Sequence, residues 1–142
     1  MYGKIILSTE VLTELVDVGT PRKVREWAQS RPEWLEIRVI QGSQPDPALE
    51  RIDPGERAAI LLAQGETDVL LLIDDGAGRA EANRRSIPNT DTLGVLRAAA
   101  IQQLLDLPSA LAQLAATNFR VCQSLLDDLL AEDSERKRQP DA

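Results

Sequence analysis

Residues 69–73, Val-Leu-Leu-Leu-Ile, form an unbroken apolar run that stops on Asp74, Asp75 and Gly76. A strand this apolar is read as buried on both faces of a parallel sheet. Just upstream, Asp53-Pro54-Gly55-Glu56 reads as a helix start: an N-cap, a first-turn proline, and an acid three residues after the cap. In open α/β sheets, ligands gather where strands end and the adjoining helices begin. The stretch 52–79 can therefore bring Glu56, Asp74 and Asp75 to one edge of one sheet. Hard oxygen donors clustered there would suit Mg²⁺ or Mn²⁺.

The chain has 142 residues, which favours one domain with a core of its own. That core must be aliphatic, because hydrophobic residues make up 43% and aromatics only 3%. A net charge of −7 argues against holding nucleic acid by bulk charge, though not against gripping a few phosphates through a metal and local arginines. No histidine is present, so His-based catalysis and His metal ligands are excluded. The lone Cys122 rules out an internal disulfide framework and points to a reducing cytosol. Residues 1–7 do not read as a signal peptide, and no apolar run approaches a membrane span.

Along the chain, residues 4–7 predict a strand, followed by a helix capped by Ser8 or Thr9 and ended by Gly19. Thr20-Pro21 opens a second helix with Val24, Trp27 and Ala28 on one face. Residues 34–40 alternate as a partly wet strand, and 41–53 are loop-like. After Gly76-Ala77-Gly78-Arg79 a helix is expected to about Ser86, then a short edge strand at 90–92. Further helices are predicted over 93–105, 108–116 and 122–132, with Cys122 capping or packing the last. Residues 133–142 are almost all polar and read as a frayed or disordered tail after a single domain over 1–132.

Each candidate also has a plain reading. Glu56 stands where a capping-box acid reaches back to the cap N–H. Asp74 and Asp75 stand where acids commonly end a strand. Glu14, one turn after Glu10, is in the ordinary case a solvated helix acid. Arg79, Arg84 and Arg85 form a basic helix face, solvated or contacting phosphate. Gly76-x-Gly78 lacks the third glycine of a dinucleotide loop. A Toprim-like phosphotransfer fold would want Asp-x-Asp after a strand, and Asp74-Asp75 has no gap.

Taken in order, the blocks Asp53-x-Gly55-Glu56-x-x-Ala59-Ile60, Leu71-Leu72-Ile73-Asp74-Asp75-x-x-Gly78-Arg79, Thr90-x-Thr92-Leu93-Gly94-Val95-Leu96 and Asn118-Phe119-Arg120-Val121 resemble the PIN-domain superfamily. The chain is similar more narrowly to small prokaryotic nucleic-acid-binding proteins related to VapC-type toxins. The resemblance implies a three-layer α/β fold, a mostly parallel sheet flanked by helices. It implies metal-dependent RNA cleavage in the cytoplasm by a toxin paired with an antitoxin. Carried over, Glu14, Glu56 and Asp75 match the catalytic acids, and these with Asp74 match the Mg²⁺ or Mn²⁺ ligands. Arg79, Thr90 and Thr92 match substrate-binding positions, with Asp91 standing where a glycine is common.

One departure stands out. The family begins with a central strand ending in Asp, ahead of what is here residues 4–7, and this sequence has no Asp before Asp17. Losing that strand would remove one ligand and leave two buried strand edges, at about 1–3 kcal/mol per unmade buried hydrogen bond. Three arrangements would resolve it: a segment upstream of Met1, direct pairing of the strands at 4–7 and 69–73, or a strand donated by a second copy or an antitoxin-like peptide. The alternative expectation is a degenerate, non-catalytic PIN-like protein acting as an interaction module.

Overall fold

The apolar run at the N-terminus forms β1 (Ile5–Ser8), and Ser8 ends it by changing roles. Its hydroxyl accepts from the Val11 N–H at 3.1 Å and caps α1 (Thr9–Val16). Pro21 then leads into α2 (Arg22–Ser30), which stops at Arg31 in a left-handed conformation just before Pro32. β2 (Leu35–Arg38) runs parallel to β1, with Ile5 opposite Leu35 and Ser8 opposite Arg38. The computed structural model describes residues 1–42 and 44–139. Contacts divide the chain into two compact units, Tyr2–Asp91 and the chain from Thr92 onward.

The segment 41–53, expected to be loop, contains a short 3-10 turn, Pro47–Leu49. Asp46 caps it by accepting from the Ala48 N–H, and Leu49 enters the core at 1% exposure. α3 (Pro54–Gln64) begins where Asp53-Pro54 predicts, and Gly65 is its C-cap. β3 (Leu71–Leu72) lies parallel to β4 (Asn89–Thr90), joined by α4 (Gly76–Arg84). Leu49, Ile52, Ile60, Ala63, Leu71, Ile73, Ala82 and Ile87 pack into the core of this unit.

The protein is α/β with parallel strands, as expected, but the expected single sheet is two separate pairs among the described residues, β1 with β2 and β3 with β4. The helix α3 packs against both β1 and β3. Among the described residues β1 and β3 do not pair directly. The Ile5 N–H donates to Trp34 and the Leu71 N–H to Pro88, so by ladder alternation Ile6 and Leu72 turn their main-chain groups the other way. Leu72 is 56% exposed, Leu70 just before it is exposed, and so is Ile5 of β1. The same exposure corrects the reading of 69–73 as a strand covered on both faces.

From Thr92 onward the chain is helical: α5 (Thr92–Ile101), α6 (Leu107–Ala115) and α7 (Gln123–Arg138). Leu93, Ala100, Leu107, Leu111 and Leu129 form the core of this unit. Asp106 caps α6, accepting from the Ser109 N–H at 3.1 Å. Cys122 occupies the N-cap position of α7, but its side chain makes no cap bond and stands exposed. The expected frayed tail is corrected through residue 138. α7 continues because Asp133 is buried and paired with Arg136 and with Lys137 one turn on. Residues 140–142 of that expected tail lie outside the described residues. No helix among those described is long and apolar enough to cross a membrane.

Candidate functional site

Two helix N-termini, those of α3 and α4, frame a cluster of acids in the first unit. Glu56 lies in the first turn of α3, and Asp53 precedes that helix. Asp75 caps α4, its Oδ2 accepting from the Gly78 N–H at 2.8 Å. Asp74 is adjacent. Glu14 arrives from α1, which packs on α3. Its carboxylate rests on Gly55: a Cβ there would lie 2.5 Å from Glu14 Oε1.

Glu56 senses all of them. Its carboxyl is held above the ordinary carboxylate range, first by burial, then by the negative charges of Asp75, Asp53, Glu14 and Asp74. The plain capping reading finds no support, because Asp53 makes no side-chain cap bond and Glu56 accepts no hydrogen bond from the cap N–H among the described residues. Arg57 donates to the carbonyls of Ile52 at 3.0 Å and Glu50 at 3.4 Å. Arg79 donates to Asp91 at 2.6 Å.

The structure thus gathers Glu14, Glu56, Asp74 and Asp75 from three elements, and adds Asp53. The sequence marked Asp53 only as a cap, although its place at the same helix start was the signal that could have included it. Arg79 is engaged by Asp91, the residue standing where the family motif has glycine. Thr90 contributes its main-chain oxygen to β4, accepting from the Ile73 N–H at 2.9 Å, and its side chain is half-buried. Thr92 begins α5 and belongs to the other unit.

Among the described residues, no three His, Cys, Asp or Glu side chains stand together closely enough to hold a metal ion. The acids about Glu56 do offer hard oxygens, the donor type that Mg²⁺ or Mn²⁺ takes.

Gly55→Ala tests this packing. The added methyl collides with the far end of an exposed side chain, so Glu14 must swing away while the fold stands. Alanine is also the better helix former by up to about 1 kcal/mol. We expect an unchanged or slightly raised melting temperature, with Mn²⁺ affinity, read by calorimetry, weakened roughly tenfold, as when a ligand's positioning partner is lost.

A family model described as PIN domain matches residues 1–135. No curated protein and no solved structure matches the chain.

Proposed function

The chain belongs to the PIN domain family, and from that membership we propose that it is a metal-dependent ribonuclease hydrolysing RNA phosphodiesters in the cytoplasm as the toxin of a toxin–antitoxin pair. The observation that carries the proposal is the cluster of acids about Glu56, drawn from α1, α3 and the β3–α4 junction. Glu14, Glu56, Asp74 and Asp75 would hold Mg²⁺ or Mn²⁺. When bound, such an ion lowers the pKa of water and stabilises charge building on a phosphate. The protein's part is to seat Glu14 against Gly55 and to tether Asp75 through Gly78. Thr90 and Thr92 are proposed to contact substrate, and Arg79 to do so on leaving Asp91.

The open edges of β1 and β3 support a second component. An antitoxin-like peptide or a second copy would add an extended strand there by main-chain hydrogen bonds. The same edges are what the second reading would use: a non-catalytic PIN-like module that waits for a partner.

Cation binding tests the site before any RNA is added. An ion at about 100 times its Kd stabilises the fold by about 2.7 kcal/mol, or roughly 5–10 °C for a chain of this size. Because folding raises the Glu56 pKa, the metal-free fold loses stability as pH rises through that carboxyl's titration. The gain from Mg²⁺ or Mn²⁺ should therefore grow from pH 4 to pH 7. Glu56→Gln should melt at or above the wild type without metal at pH 7 and lose most of the shift with it. An unchanged melting temperature in the wild type with either cation would remove the metal site.

A further inference from the structure

We infer that α2 and the turn after it form a landing platform for single-stranded nucleic acid, with Trp27 and Trp34 as the stacking surface. In an acidic chain, positive charge collects here: over residues 22–34, Arg22, Lys23, Arg25 and Arg31 stand against the carboxylates of Glu26 and Glu33. Glu26 is taken up by Arg22 at 2.6 Å on the outer surface. The chain has only two Trp, one Tyr and one Phe. Both tryptophans stand at this surface, Trp27 40% and Trp34 45% exposed.

Helical spacing puts Lys23 one turn before Trp27 on the same stripe. The reversal at Arg31 (φ 44°, ψ 71°) ends the helix, and Pro32 then turns the chain through a bond from the Leu35 N–H to its carbonyl. That turn sets Trp34 beside Trp27, ring centroids 6.0 Å apart and planes tilted by 39°. A side chain rarely adopts that backbone conformation, so the turn is held by its surroundings. The indoles do not build the core: Ala28 is the buried residue of α2.

Exposed indoles flanked by cations match the chemistry of a single strand, whose bases offer π-faces and whose phosphates offer charge. A duplex hides those faces. A protein partner would use the aromatic surface too, but excess positive charge selects a polyanion. The platform uses none of the rim acids, although α1, which carries Glu14, packs on α2. It deepens the ribonuclease reading by naming where the strand is gripped, yet it stands if the rim does not cleave.

Binding is measured in EDTA, so that no metal-dependent cleavage occurs, using a labelled oligo-uridine and a length-matched RNA duplex. We expect the single strand to raise anisotropy and quench tryptophan fluorescence, and the duplex to bind more weakly. Trp27→Ala should weaken single-strand binding about 5- to 100-fold, with Trp27→Phe recovering most of it. Lys23→Ala should weaken it less and lower the salt slope by about 0.7. Equal binding of strand and duplex, no quenching, or wild-type affinity in folded Trp27→Ala would overturn the platform. So would a wild-type dimer without RNA that Trp27→Ala dissociates. Cleavage at the rim without strand binding at the indoles would leave the ribonuclease reading intact.

Discussion

Asp75→Asn should melt with the wild type and cleave RNA roughly 10²–10³-fold more slowly, the loss that follows removal of one electrostatic group from a catalytic site. The substitution discriminates because Asp75 has two jobs. It caps α4 by accepting from the Gly78 N–H, and it contributes charge to the acids about Glu56. Asparagine caps a helix about as well as aspartate, so the first job survives and the second is lost. Asp75→Ala loses both and should cost about 1 kcal/mol of stability besides. Cleavage of a labelled RNA in Mn²⁺ is the assay, with a metal-free lane as blank. Wild-type cleavage by Asp75→Asn would remove the carboxylate site; a fall in melting temperature matching that of Asp75→Ala would reduce Asp75 to a structural cap.

Local chemistry made much of this legible in the sequence. Asp53-Pro54 opens α3 as it reads, because caps and breakers act within a turn of themselves, whereas α4 starts at Gly76, before the glycine turn after which it was expected. The meeting of Glu56 with Asp74 and Asp75 followed from a helix start and a strand end sharing one edge, whereas Glu14, about sixty positions from Asp75, joined them only through the resemblance. What stayed hidden depends on who the neighbour is. Leu72 reads as buried because its run is apolar, yet a strand's second face and edge are covered only if another element arrives. Leu49 sits in a segment of prolines and acids, and only the turn capped by Asp46 tips it inward. Asp133 reads as tail, and only its ion pairs with Arg136 and Lys137 keep it inside. Arg79 reads as a phosphate contact until Asp91 is seen beside it.

Arg85 carries the same lesson into stability, because the sequence offers it as one more cation on a wet helix face. Its side chain is only 9% exposed and ties three segments together. Nε donates to Glu81 at 2.6 Å, Nη1 to Gln64 at 2.9 Å, and Nη2 to Asp46 at 2.7 Å. The α4 helix is thereby fastened to the end of α3 and to the turn that buries Leu49. Arg85→Met keeps the bulk and deletes the charge. Asp46 is partly wet and Glu81 keeps Arg84, so the cost should be about 2–3 kcal/mol, just under that of breaking a fully buried pair. Urea melts would read it as a lower midpoint at unchanged slope.

Acid sharpens the same test. Hydrogen bonds from Arg84 and then Arg85 hold the Glu81 carboxyl down to about 2, against an ordinary 4.5. A depressed carboxyl stabilises the fold above its unfolded pKa and loses that contribution as pH falls toward the folded value. The wild type should therefore weaken from pH 4.5 to about 2, and Arg85→Met should weaken less steeply, since Arg84 alone remains to hold the anion. Parallel pH profiles would mean that Arg85 fills space at this joint and that Arg84 alone sets the Glu81 titration.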